Sequence, residues 1–204
     1  LGDPNYKVKF VMSIPYPDQR YTSFGPLSGN YYNLSTDSGY QSAVNWFINQ
    51  TESRFNSGSY QYVDLVGYYW LDEAVNRVDR IRYTASRVQN KGYKFFWIPY
   101  YTVPGALYGK DLQFDAVAYQ PNHFFPDAYN ENDIGLIGTK QVVNAAKLAA
   151  YANIGLELEI DDRLLTNVDK YNQGLDYFNA SVEQGFRGPG VFRCWYNDVR
   201  AYYK

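Results

Sequence analysis

Six short segments rich in β-branched and aromatic residues alternate with helix-like segments, and this alternation constrains the fold more than any other feature. The segments that predict strands are residues 7–15, 62–71, 94–100, 114–120, 154–160 and 191–196. Apolar residues recur at helical spacing within residues 37–48, 74–88, 141–152 and 168–184. Strands that alternate with helices predict βα units, and hence a parallel sheet with right-handed crossovers.

The sequence also predicts where the helices begin and end. We expect a loop over residues 17–36 and a first helix capped by Asp37 or Ser38. The second helix is expected from about Ala74, with Gly92 as its stop. The fourth helix should end at Gly185 and bury a stripe made of Tyr171, Leu175, Phe178 and Val182.

Polar and aromatic residues concentrate where the predicted strands end. In parallel α/β folds these carboxyl ends carry the βα loops and form the active face. A doubly wound sheet would concentrate function at one switch point, so enrichment at six strand ends favours a TIM-type (β/α) barrel. A complete barrel has eight strands and about 250 residues. Six strands in 204 residues therefore predict a partial barrel, with residues 1–204 as one domain that lacks two βα units.

Composition narrows the class of ligand. A net charge of −2 argues against a nucleic-acid partner, and the absence of a long apolar run argues against a membrane span. The single histidine, His123, excludes a His-rich zinc site, and we predict neither metal nor cofactor. The 23 Tyr, 12 Phe and 4 Trp residues suit a carbohydrate ligand, because each offers an apolar face and many a polar tip. The alternative is that the tyrosines only pack half-buried at element ends.

Five segments resemble the secreted bacterial proteins grouped as domain of unknown function 4855. The matching segments are residues 8–17, 65–74, 96–101, 114–125 and 155–161. The resemblance implies a TIM barrel related to glycoside hydrolases, a secreted location, and two further strands before the equivalent of Val8. The first predicted strand would then be the third of the barrel, and the remainder of a longer parent chain would be a partner. The sequence departs from the family at His123, where an aromatic residue such as Tyr is more usual.

Glu73 is the first candidate for catalysis. Glycoside hydrolysis needs two carboxyl groups that flank the scissile bond, and Glu73 closes the segment YYWLDE, where a βα loop begins. The Asp72–Glu73 pair resembles the Asn-Glu ending of the fourth strand in retaining glycosidases of the large barrel clan. The alternative is that Asp72 caps the next helix and Glu73 interacts favourably with its N-terminal dipole.

The second candidate set lies in the segment GLELEID. Glu157, Glu159 and Asp161 share one face of this strand, because side chains alternate along a strand. The opposite face carries Leu156, Leu158 and Ile160, so we expect that face to pack on helices and the carboxylates to point into the barrel. Buried glutamates are costly unless they are paired, which favours a functional site. The alternative is a buried polar network with Arg or Tyr partners.

The strand count and the resemblance together assign roles to these carboxyl groups. If the first strand is the third of a barrel, YYWLDE is the fourth and GLELEID the seventh. The resembling clan places its acid/base on the fourth strand and its nucleophile on the seventh. This implies Glu73 as the general acid/base and Glu159 as the nucleophile, with Glu157 as the second candidate for nucleophile. We predict a glycoside hydrolase with a retaining-type carboxylate pair.

Further residues at the strand ends are candidates for substrate binding. Aromatic side chains can stack on sugar rings, although alternation turns about half of them into the core. The predicted substrate-binding residues are Tyr16, Trp70, Asp72, Tyr100, Tyr101, Gln120, Asn122, His123, Asp161 and Trp195. Two other functions stay open at this point: a non-catalytic carbohydrate-binding barrel, and a structural module for a surface or an assembly.

Overall fold

The structure is a computed structural model that describes residues 5–125 and 138–197. Within these residues the strands are β1 (Val8–Ile14), β2 (Phe24–Leu27), β3 (Asn30–Tyr32), β4 (Val63–Trp70), β5 (Lys94–Trp97), β6 (Ala116–Tyr119), β7 (Gly155–Glu159) and β8 (Arg193–Tyr196). The α-helices are α1 (Asp37–Ser57), α2 (Val78–Gln89), α3 (Thr139–Ala152) and α4 (Val168–Glu183), and a 3₁₀ helix covers Asp162–Leu165.

The sheet confirms the predicted fold class. Six strands follow the order β1-β4-β5-β6-β7-β8, which is the order of the six predicted strands along the chain. The pairs β1–β4, β4–β5, β6–β7 and β7–β8 are parallel. The fold is therefore α/β with a six-stranded parallel sheet, as in a partial barrel that has six of eight strands.

The chain divides into two compact units. The first unit consists of Leu1–Asp72, Asn76–Trp97 and Lys110–Asp115. The second unit consists of Glu73–Val75, Ile98–Gly109 and Ala116–Lys204. The assignment of residues 1–204 to a single domain stays a prediction.

In the first unit, the predicted loop over residues 17–36 contains a hairpin that the sequence analysis missed. Strands β2 and β3 pair antiparallel through Ser28 and Gly29, both of which have positive φ. A two-residue turn of this kind matches the twist of a hairpin. Leu27 and Leu34 anchor the hairpin by packing with Ala43 of α1.

Two helix starts in the first unit also differ from the prediction. Helix α1 is capped by Thr36 instead of Asp37 or Ser38, because the Thr36 hydroxyl accepts from the backbone N–H of Gly39 at 3.1 Å. Helix α2 begins at Val78 instead of near Ala74. The residues in front of it, Glu73–Val75, belong to the second unit.

The second unit packs helices α3 and α4 on one face of β7. Leu156 and Leu158 lie in a buried cluster with alanines of α3 and with Tyr177 of α4. The apolar face of β7 is thus covered by helices, as expected from the alternation, and Glu157 and Glu159 lie on the opposite face.

The predicted buried stripe of α4 is wrong. Tyr171, Leu175, Phe178 and Val182 are 40–50% exposed. The buried residues of α4 are instead Gly174, Tyr177, Ala180 and Ser181. Their mostly small side chains let the helix approach the leucine face of β7 closely, and this contact outweighs the burial of the larger stripe.

Candidate functional site

The three carboxyl groups predicted for catalysis all lie in the second unit. Glu157 and Glu159 project from β7 and are almost completely buried, with 4% and 1% of their surface exposed. Glu73 is half-buried, and its backbone carbonyl accepts from the N–H of Tyr100 at 3.2 Å. Both β7 carboxyl groups interact electrostatically with Glu73. The fold therefore brings Glu73 and the β7 pair into one neighbourhood.

Glu159 is held by three hydrogen-bond donors. Its Oε2 accepts from the backbone N–H of Asn122 at 2.6 Å and from the hydroxyl of Tyr177. Gln120 Nε2 donates to Oε1 at 3.4 Å. Asn122 adopts a φ of 53°, and this left-handed turn after β6 presents its N–H to the carboxylate. The three donors stabilise the ionised form of Glu159.

Burial and the three donors have opposite effects on the pKa of Glu159. Removal from water raises the pKa of its carboxyl to about 7, although hydrogen bonds from Tyr177, Asn122 and Gln120 lower it, and the charge of Glu73 adds to the rise. The pKa of Glu159 is thus raised towards neutrality, the range in which a carboxyl group can exchange a proton during a reaction.

Glu157 has the opposite kind of environment. Its Oε2 is buried and has no hydrogen-bond partner among the described residues. Burial, followed by the charges of Glu159 and Glu73, raises the pKa of Glu157 to about 9. Glu157 is therefore a neutral carboxylic acid at pH 7, so it adds no negative charge beside Glu159.

Two residues that the sequence analysis did not single out organise this neighbourhood from α4. The hydroxyl of Tyr177 accepts from the backbone N–H groups of His123, at 2.8 Å, and Phe124, at 3.3 Å, while it donates to Glu159. Asp176 Oδ2 lies 2.9 Å from His123 Nε2. The signal that could have identified Tyr177 is its small neighbours at helical spacing, such as Gly174, which mark the face of α4 that packs on the sheet.

His123 has a structural environment. Its ring is 4% exposed and is bound by Asp176, which also accepts from the Thr139 hydroxyl at 2.9 Å. Burial lowers the pKa of His123, and this effect exceeds the opposing effect of Asp176. The imidazole is therefore neutral at pH 7, and its hydrogen bond to Asp176 connects the segment after β6 to α4.

The remaining predicted binding residues of the second unit lie in different environments. Asp161 is bound by Arg163 at 2.8 Å and caps the 3₁₀ helix. Tyr101 is buried in the core beside Tyr119, where a sugar cannot reach its ring. The Tyr100 hydroxyl accepts from Asn122 Nδ2 at 3.4 Å. Trp195 is 51% exposed and packs against a ring of α4.

Three predicted binding residues come together in the first unit. Tyr16 follows β1, whereas Trp70 and Asp72 lie at the end of β4, and all three line one small cavity. The rings of Tyr16 and Trp70 meet edge-on at 6.4 Å. Asp72 accepts from Asn76 Nδ2 at 2.8 Å through its carboxylate.

Two kinds of feature are absent from the part of the chain that the structure describes. Residues 5–125 and 138–197 hold no group of three or more His, Cys, Asp or Glu side chains arranged to bind a metal ion. Over the same ranges, no helix has the length and apolar character that a membrane span requires.

Comparison with known proteins gives a family. A search of curated proteins finds no significant match, and neither does a search of solved structures. The family model described as domain of unknown function (DUF4855) matches residues 1–204, the whole chain. By this match over its whole length, the protein belongs to the DUF4855 family.

Proposed function

We propose that this protein is a secreted glycoside hydrolase that uses the carboxyl groups of Glu73, Glu157 and Glu159. The observation that carries the proposal is the interaction of three carboxyl groups, two of which have pKa values of about 7 and about 9. Glycosidases need one protonated and one ionised carboxyl group at the same pH, and repulsion between neighbouring carboxylates keeps part of such a cluster protonated at neutral pH.

The environments of the carboxyl groups support a division of roles. Glu159, held by three donors, is the nucleophile that attacks the anomeric carbon. Glu73 is the most exposed of the three and donates its proton to the leaving oxygen. Ionised Glu73 then takes a proton from the water that attacks the anomeric carbon and releases Glu159. Glu157 stays protonated and limits the negative charge of the site.

One observation favours a second function, that of a non-catalytic carbohydrate-binding domain. Glu159 is only 1% exposed, and three donors already occupy its carboxylate. A nucleophile must contact the anomeric carbon, so a carboxylate that stays this covered would bind no substrate atom.

A comparison of glutamine variants separates the two functions. Wild type, Glu73→Gln and Glu159→Gln are assayed for release of reducing ends from a panel of plant, bacterial and fungal polysaccharides. The matched control is Glu183→Gln, an exposed glutamate at the end of α4. We expect turnover by wild type and the control, and a loss of at least about a hundredfold in both test variants.

The folding of each variant is checked by thermal unfolding and its polysaccharide binding by affinity electrophoresis. Retained turnover in Glu159→Gln would refute the assignment of Glu159 as the nucleophile. If the wild type binds a polysaccharide but hydrolyses no member of the panel, the result would support the second function, a non-catalytic carbohydrate-binding domain.

A further inference from the structure

A small cavity in the first unit lies where β1 and β4 end. Tyr16 follows β1, Trp70 is the last residue of β4, Asp72 follows that strand, and Arg80 lines the cavity from α2. The cavity measures about 260 Å³ with its opening to solvent included, and its enclosed part is wide enough for a single oxygen atom.

Two residues that line this cavity, Trp70 and Arg80, each carry a buried donor that lacks an acceptor. Neither Trp70 Nε1 nor Arg80 Nε has a hydrogen-bond partner within the described ranges, and the two residues are 2% and 5% exposed. Arg80 uses Nη2 to bind Ser35 O at 3.1 Å, and its guanidinium lies 4.7 Å from the centre of the Tyr40 ring. Those contacts hold Arg80 in place and leave its Nε–H unmatched.

Unmatched buried donors call for an acceptor from outside the chain. Burial of one donor without an acceptor costs about 1–3 kcal/mol, more for a charged group, and native proteins rarely leave such groups unpaired.

The cavity is also lined by an acceptor, the carboxylate of Asp72, which accepts from Asn76 Nδ2. A carboxylate can accept several hydrogen bonds. Arg80 is paired with Asp37 at 3.4 Å, so the negative charge of Asp72 disfavours an anion as the occupant. A hydroxyl group meets both demands, because its oxygen accepts while its O–H donates. Tyr16, which is 38% exposed, offers an aromatic surface beside the opening.

We infer that this cavity is a carbohydrate subsite that binds one hydroxyl group of a sugar. The hydroxyl oxygen accepts from Trp70 Nε1–H and Arg80 Nε–H, its O–H donates to Asp72, and the sugar ring lies against Tyr16. The choice of a sugar as the ligand rests on the proposed function, whereas the need for a neutral hydroxyl follows from the donors and the carboxylate alone.

The indole N–H of Trp70 is a direct probe of this site. The protein has 4 Trp residues, and its indole signals in a ¹H–¹⁵N spectrum can be assigned by single Trp→Phe variants. We titrate the protein with glycerol, glucose, galactose, mannose and xylose. With at least one sugar we expect a saturable shift of the Trp70 signal, while the Trp46 indole, bonded to Ser28 Oγ, stays unchanged.

Variants of the acceptor and of the aromatic wall test the assignment. We expect Asp72→Asn and Tyr16→Ala each to weaken binding about tenfold, as loss of one such contact predicts. Asp64→Asn, at a half-exposed aspartate of β4 that pairs with Lys7, is the matched control. No saturable shift with any sugar, or a shift that Asp72→Asn leaves unchanged, would overturn the inference, and the cavity would then hold only water.

These outcomes are distinct from those of the hydrolysis assay. Sugar binding at Trp70 without turnover would leave this subsite intact and refute only the catalytic proposal. Turnover with an unmoved Trp70 signal and an unchanged kcat/KM in Tyr16→Ala would refute only the subsite.

Discussion

Replacement of Glu157 by glutamine should change how the stability of the protein depends on pH. The folded-state pKa of Glu157 is about 9, against an ordinary value of 4.5. Between these values the unfolded chain releases the proton and the folded chain keeps it. The contribution of this group to stability is therefore fully present below pH 4.5 and is lost as pH rises towards 9.

The size of the effect follows from the length of that interval. Each pH unit within it lowers the free energy of unfolding by about 1.4 kcal/mol. The three units from pH 5 to pH 8 therefore remove on the order of 4 kcal/mol in the wild type. Glutamine does not titrate, so Glu157→Gln does not lose this stability as the pH rises. The titration of Glu159 is common to both proteins and cancels in the comparison.

The assay is urea unfolding at pH 5, 6, 7 and 8, followed by tryptophan fluorescence. We expect the stability of Glu157→Gln relative to wild type to increase by several kcal/mol across this series. Glu183→Gln, at an exposed position of α4, is the matched control variant. If the difference between Glu157→Gln and wild type were the same at pH 5 and pH 8, Glu157 would be ionised at neutral pH and the reasoning would be wrong.

Three further predictions test the contacts around the site and the fold. Tyr177→Phe removes a donor to the carboxylate of Glu159, so the pKa of Glu159 should rise above its value of about 7. Carboxyl-¹³C NMR measures this pKa, and an unchanged titration of Glu159 would contradict the role of Tyr177. Leu158→Ala should cost about 2–5 kcal/mol of stability in urea unfolding, and a cost below about 1 kcal/mol would mean that this face of β7 is not covered by helices. Thr36→Ala should cost about 1 kcal/mol through loss of the bond to Gly39, and no change in thermal unfolding would show that the cap is unimportant.

The parallel sheet could be predicted because its signal is local and repeated. Each of the six strands is a short β-branched or aromatic segment bounded by turn residues, and each segment lies next to its predicted neighbour in the sheet order. The hairpin of β2 and β3 escaped prediction because its strands are only four and three residues long. Its turn at Ser28 and Gly29 resembles an ordinary loop until the strands are seen to pair.

Helix α4 shows where helical spacing is not enough. Two faces of this helix carry a repeating pattern, one with large apolar residues such as Phe178 and one with small residues around Tyr177. Hydropathy favoured the large residues, but only the packed structure shows which face approaches the leucines of β7. The choice depends on how closely the helix fits the sheet, which no single segment of sequence encodes.

Which carboxyl groups share a face can be read from the sequence alone. Side chains alternate along a strand, so Glu157 and Glu159 lie together, opposite Leu156 and Leu158. How the two glutamates differ depends on the packing of the folded chain. Tyr177 and Asn122 reach Glu159 from distant parts of the chain, whereas Glu157 receives no partner for its Oε2 from any described residue. Burial raises the pKa of both glutamates, but hydrogen bonds lower only that of Glu159, so its pKa is about 7 and that of Glu157 is about 9.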